Sequence, residues 1–191
     1  MTLIKTPKIL SAPFYFLRHG QTDWNRENRC MGQTDIPLND RGIAQALSAR
    51  NSLIQAAITA IYHSPLSRAK MTAEILNVTL KCPLIPVEEL MEFNLGPFSG
   101  KIIENWFDEW RAGKAFNGTE LYSDFIERAL IGVNKALKSQ GPILIVAHGG
   151  IYWAIEHAIQ NRLNPDLPNC VPAFHTPPKN LGEPWTVSLL K

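Results

Sequence analysis

Three short segments of this 191-residue chain carry side chains suited to phosphate chemistry. They are Arg18-His19-Gly20, the stretch from His63 to Arg68, and His148-Gly149-Gly150. A neutral imidazole is a competent nucleophile at neutral pH, whereas a serine hydroxyl needs a base. To attack phosphorus through one ring nitrogen, His19 needs the other fixed by a hydrogen bond, often to a backbone carbonyl. Gly20 lets the backbone turn sharply and approach a ligand, and Arg18 can grip two phosphate oxygens at once. Arg68 falls in the first turn of a predicted helix, where the dipole adds to its charge. A protonated His148 would be a third cation. Phosphoryl transfer asks mainly for positioned positive charge around the equatorial oxygens, which two arginines and an imidazolium supply without a metal ion. The leaving alcohol also needs a proton. Glu92, in the loop-like stretch EELMEFNLGPFSG, is a candidate donor, because a bound phosphate would raise its pKa. Taken singly, each group has a plainer reading: a satisfied histidine at a strand end, an exposed arginine, or a solvated carboxylate. Glu88, Glu89 and Glu104 compete with Glu92 for the donor role.

These residues need a scaffold that brings them together. Phe14 to Leu17 reads as a short buried strand. A helix is predicted over Asn39 to Ile54 with Asn39 as its N-cap, and a second strand over Ala57 to Tyr62. Ser64-Pro65 reads as an N-cap followed by proline at the first helical position, opening a helix through SRAKMTAEIL. Leu84 to Val87 is a short third strand, and Ile102 to Arg111 and Thr119 to Ser139 are helical. Ile143 to Val146 is the clearest buried strand. A helix then runs from Gly149-Gly150 to Ile159, and Val171 to Phe174 and Trp185 to Leu190 are late strands. This alternation predicts an α/β fold: a three-layer α/β/α sandwich around a mostly parallel sheet, in a single domain over residues 1–191. In such sheets ligands bind beyond the carboxyl ends of the strands, where all three segments lie.

Composition narrows the function classes. Lys and Arg number 19 against 17 Asp and Glu, so no nucleic-acid partner is expected, and attraction for anions must be local. The apolar fraction of 45% is that of an ordinary globular protein. Three scattered cysteines and five scattered histidines give neither a disulfide framework nor zinc-ligand spacing. Residues 1–12 lack the apolar run of a signal peptide, and no stretch is long enough to span a bilayer. The expectation is a cytoplasmic protein with no membrane partner, no metal and no cofactor. Of the other histidines, His63 reads as a solvated loop end and His157 as packing or surface. His175 sits in a late loop and could reach a substrate tail.

The segment FYFLRHGQTDWN, residues 14–25, resembles the signature of the histidine phosphatase superfamily, which includes the cofactor-dependent phosphoglycerate mutases. GQTDIPLNDRGIAQA (32–46), SPLSRAKMTAEIL (64–76) and AHGG (147–150) resemble the blocks that follow it. The resemblance implies that His19 becomes phosphohistidine. It implies that Arg18, Arg68 and His148 complete the phosphate pocket and that Asn25 adds a side-chain contact. Glu92 would protonate the leaving group and then activate water. One turn departs from the family pattern, often Gly-x-Trp-Glu-Gly: here it reads Gly96-Pro97-Phe98-Ser99-Gly100. Glu120 and Arg128, in a segment resembling one that opens a long helix, read as a structural pair.

The implied activity is hydrolysis of a small phosphorylated substrate, with phosphoglycerate mutase-type transfer as the alternative. A mutase must exclude water, and the region between Gly100 and Glu120 is short for a cover. An idle phospho-ligand-binding module is a third reading, disfavoured because His19 and Glu92 are both present. Phe93, Phe98, Trp106, Phe107 and Trp110 are aromatic candidates for the pocket mouth or the core. Homo-oligomerisation is compatible with all of this.

Overall fold

The computed structural model describes residues 7–102, 104–159, 166–180 and 182–190. Residues 1–6 of the leader reading and Ile103 of the predicted helix lie outside the described residues. Six strands form one sheet: β1 (Phe14–Arg18), β2 (Ala60–His63), β3 (Leu84–Pro86), β4 (Ile143–Ala147), β5 (Ala173–Thr176) and β6 (Thr186–Leu189). Their order across the sheet is β3-β2-β4-β1-β5-β6. The first four are parallel to one another, β5 runs antiparallel to β1, and β6 runs antiparallel to β5. This is the expected mostly parallel α/β sheet.

The helices are α1 (Asp23–Arg26), α2 (Asp40–Ser52), α3 (Ser67–Leu80), α4 (Asn105–Arg111), α5 (Tyr122–Leu137) and α6 (Gly149–Ile159). All five residues of β4 are buried, because a central parallel strand is covered on both faces. Its alternate side chains divide the core in two. Leu144 and Val146 join Leu17 and Ile61 beneath Ala46, Ala49, Ala73 and Leu76 of α2 and α3. Ile143, Ile145 and Ala147 join Phe14 and Phe16 beneath Phe125, Ala129 and Val133 of α5 and Ile151 and Ile155 of α6. Among the described residues no helix is long and apolar enough to cross a membrane.

Asn39 caps α2 as expected, accepting from the Gly42 N–H at 2.9 Å; such caps contribute about 1 kcal/mol. Ser64 does not cap α3. That helix starts at Ser67, whose N–H and hydroxyl both donate to Asp35 Oδ1, at 2.8 and 2.7 Å. Its cap comes from a distant loop, and Pro65 lies outside it. The helix predicted from Ile102 begins at Asn105, and the late strand lies at Ala173–Thr176 rather than Val171 to Phe174.

Candidate active site

β1, β2 and β4 end side by side, and the ladder continues past their ends. His19 N–H donates to the Ala147 carbonyl at 2.9 Å, Ser64 N–H to the Val146 carbonyl at 3.1 Å, and Cys170 N–H to the Arg18 carbonyl at 2.9 Å. The three predicted segments therefore converge, at one end of a cavity of about 440 Å³. Arg18, His19, Asn25, Arg68 and Glu92 all line it. His148 is fully buried beside it, its ring 5.2 Å from that of His19.

His19 Nδ1 lies 2.7 Å from the Gly20 carbonyl. A carbonyl only accepts, so Nδ1 carries the proton and Nε2 keeps its lone pair. Burial, and then Arg68 and Arg18, hold this imidazole well below the ordinary 6.5, so it is neutral at physiological pH. The turn behind it is pinned from both sides. Thr72 Oγ1 accepts from the Gly20 N–H at 3.1 Å, and Asn169 Nδ2 donates to the His19 carbonyl at 2.7 Å. Gly20 does not adopt a left-handed conformation, and its smallness serves close packing instead. A Cβ there would lie 2.4 Å from the Gly42 carbonyl oxygen at the start of α2.

Arg68 is fully buried. It donates through Nη1 to the Thr34 carbonyl at 3.0 Å and through Nη2 to the Gly32 carbonyl at 2.8 Å. Burial pushes its pKa down to about 10, which leaves it charged. Arg18 donates through Nη1 to the Leu167 carbonyl at 3.3 Å. His148 Nε2 lies 2.7 Å from Ser64 Oγ. Three buried nitrogens here have no hydrogen-bond partner: Arg18 Nε, Arg68 Nε and His148 Nδ1. Unpaired buried polar groups are costly, and their clustering in one site calls for a functional account. His148, read from the sequence as a third cation when protonated, is held well below 6.5 by burial and then by Arg68.

Asn25 occupies the first turn of α1. Its Oδ1 accepts from the Thr22 N–H at 3.1 Å and the Thr22 hydroxyl at 3.2 Å, completing a capping box. The amide nitrogen is the end left for the cavity. Glu92 is buried, and burial raises its pKa above 4.5 against the opposing pull of the Gly150 N–H and Arg68. Its Oε2 accepts from Gly150 N–H at 3.1 Å and its Oε1 from Phe93 N–H at 3.2 Å. The rival carboxylates are elsewhere. Glu88 and Glu104 are exposed, and Glu89 pairs with Lys135.

Several neighbours escaped the sequence reading. Thr72 lies one helical turn after Arg68, a spacing that could have identified it. Gly150 is in the quoted AHGG block, but its role is steric: a Cβ would lie 2.2 Å from Glu92 Oε1. Ser64 and Asn169 offered no signal. Two histidines were misplaced. His63 is buried at the end of β2, not solvated, and His175 is fully buried in β5, stacked on Phe14 at 4.5 Å. His157 is on the surface. Of the aromatic candidates, Phe93 and Phe107 line the cavity, Trp110 is core, and Phe98 and Trp106 stack on each other outside it. Trp24 and Trp153 line the cavity as well.

A profile of the histidine phosphatase superfamily (branch 1) matches residues 14–171. The chain is 34% identical over 142 residues to the uncharacterized phosphatase PhoE of Bacillus subtilis (strain 168), covering 73% of this chain and 72% of that one. It is 33% identical over 149 residues to the probable phosphoglycerate mutase GpmB of Escherichia coli (strain K12 / DH10B), covering 71% and 68%. Among solved structures, Bacillus stearothermophilus YhfR superposes with a TM-score of 0.77 at 26% identity, over 93% of this chain and 95% of that one. Phosphoglycerate mutase from Thermus thermophilus superposes with a TM-score of 0.74 at 27% identity, over 94% and 99%.

Proposed function

The chain belongs to the histidine phosphatase superfamily, and from that premise we propose that it is a metal-independent phosphomonoester hydrolase, one domain throughout, working through a phosphohistidine on His19. One observation carries the reading. A neutral imidazole with a free Nε2 shares a cavity with a buried guanidinium, Arg68, a half-buried one, Arg18, and a buried carboxyl of raised pKa.

In the first step Nε2 of His19 attacks phosphorus and the bond to the leaving oxygen breaks. Arg18, Arg68, His148 and the Asn25 amide hold the equatorial oxygens. The Glu92 carboxyl gives its proton to the departing alcohol. In the second step the Glu92 carboxylate takes a proton from water, the water oxygen attacks phosphorus, and the N–P bond breaks to release phosphate. A phosphate dianion offsets the two arginines, so binding favours proton uptake by His148. Hydrolysis is favoured over return of the phosphoryl group because the region between Gly100 and Glu120 is short for a cover and its Trp110 is committed to the core. Trp110 is fully buried, and Phe107 packs on Phe93 with ring centroids 5.9 Å apart.

The test is hydrolysis of p-nitrophenyl phosphate with and without EDTA, beside His19→Ala, with rapid quenching in alkaline detergent to look for an acid-labile, alkali-stable phosphoryl label. Activity that survives EDTA and a label lost with His19 are expected. Full activity in His19→Ala would overturn the reading. Transfer to 3-phosphoglycerate outpacing hydrolysis would replace it with the mutase.

A further inference from the structure

Glu92 must be held in place, yet the segment around it has no sheet ladder and only a short helical turn at Glu88–Leu90. Backbone groups in such a segment need partners from elsewhere, and Arg128 of α5 supplies most of them. Its Nη1 donates to the Glu89 carbonyl at 3.0 Å and the Met91 carbonyl at 2.9 Å, and its Nη2 to the Glu92 carbonyl at 3.2 Å. Its Nε and Nη2 also form a fork with Glu120 Oε1 at 2.8 Å and Oε2 at 2.9 Å. A guanidinium has five N–H donors, and all five have acceptors here.

Glu120 extends the hold past Glu92. Its Oε2 accepts from the Asn94 N–H at 3.0 Å, and its own N–H donates to the Asn94 carbonyl at 2.9 Å. Glu120 is fixed in turn by Trp110, whose indole N–H donates to its carbonyl at 2.7 Å. The segment 89–94 is thus gripped on both sides of residue 92. Gln33 Nε2 adds a bond to the Glu92 carbonyl at 3.0 Å. Arg128 does not line the cavity. The charges that act on the Glu92 carboxyl are Arg68 and Arg18, not Arg128.

We propose that Arg128, locked by Glu120, is the positioning residue for Glu92, fixing where the acid–base carboxyl sits without touching substrate. This rests on the phosphohistidine hydrolase reading and adds a claim about how its proton donor is aimed. Lysine has three donors on a flexible stem and cannot reproduce a planar five-bond clamp.

The experiment compares wild type, Arg128→Lys, Glu120→Gln, Glu92→Gln and the double variant Arg128→Lys/Glu92→Gln. Two esters are used: p-nitrophenyl phosphate, whose phenolate leaves without a proton, and an alkyl phosphate, whose alkoxide does not. Arg128→Lys is expected to lower kcat/KM, which reports the phosphorylation step, by about 10- to 100-fold on the alkyl ester, the scale of a misplaced catalytic group. kcat/KM on p-nitrophenyl phosphate should hardly move, while kcat on it falls through the shared dephosphorylation step, which also uses Glu92. The alkaline fall of the alkyl-ester pH profile should flatten, and the double variant should be no slower than Glu92→Gln alone. Glu120→Gln, which keeps Arg128 but loosens the fork, should show the same pattern more weakly and serves if Arg128→Lys fails to fold. Equal losses of kcat/KM on both esters, or effects that multiply in the double variant, would overturn the proposal and leave the clamp a purely structural element. Failure of the underlying reading is distinct: there, His19→Ala retains activity on both esters.

Discussion

The two halves of the candidate site are held by different means. On one side, Arg18, His19 and His148 follow the ends of β1 and β4, and their backbones extend the sheet's own hydrogen bonding. On the other, Glu92 sits in a loop fixed by side chains from α5, by Gln33 and by the close approach of Gly150. On the proposed mechanism the sheet supplies the phosphate-binding and nucleophilic groups as a by-product of folding, whereas the proton donor needs dedicated contacts. Damage on the sheet side should therefore abolish chemistry on any ester. Damage on the loop side should lower kcat/KM in proportion to how badly the leaving group needs a proton, and should slow the shared dephosphorylation step on any ester.

The largest effect tests the sheet side. His19→Ala should lower turnover of every ester by roughly 10⁴-fold or more; steady-state rates on an aryl and an alkyl phosphate check this, and selective loss on one would break the comparison. Glu92→Gln comes next, with a loss in kcat/KM of about 10²- to 10⁴-fold on an alkyl phosphate and a much smaller one on p-nitrophenyl phosphate, whose kcat falls through slowed dephosphorylation. Gly150→Ala should follow the same selective pattern at roughly 10²-fold, because the new methyl occupies the place of Glu92 Oε1. A crystal structure of that variant should show the carboxylate displaced. Ser64→Ala removes the partner of His148 Nε2 and should lower kcat/KM by about 10-fold at most, the scale of one hydrogen bond, equally on both esters.

The smallest effect is on stability. His19 and His148 are held below 6.5 in the fold, so the unfolded chain binds protons first as pH falls. Their contribution is full above about pH 6.5 and is lost on acidification towards their folded values. Glu92 has the opposite sign. Its pKa is raised in the fold, so its ionisation costs stability as pH rises past that of a free carboxyl. Melting midpoints of wild type and His19→Asn between about pH 5.5 and 7.5 should converge towards acid, with the variant losing less.

How much of this was legible in the sequence follows the same division. Groups at strand ends could be read, because a buried strand followed by a polar residue announces both the element and the crevice. Arg18, His19 and His148 were found this way. Glu92 was one carboxylate among several in an irregular stretch, and only the family resemblance singled it out. His63 and His175 were misread because a histidine at an inward strand position looks the same in one dimension as one in a loop. Ser64 looked like a cap because Ser-Pro so often is one. Its hydroxyl instead lies against His148 and accepts from the Leu66 N–H at 3.3 Å, and the real cap comes from Asp35, far away in the chain.

The sheet order has a consequence for how the molecule comes into being. β1 is made before both of its neighbours, β4, with Tyr15 opposite Leu144, and β5, with Tyr15 opposite Phe174. During synthesis the strand that leads into His19 has no edge to join until β4 has left the ribosome. Contacts so distant in sequence make folding slow and leave an apolar strand open to aggregation. His19, the proposed nucleophile, acquires its geometry only once β4, far downstream in the sequence, has been made.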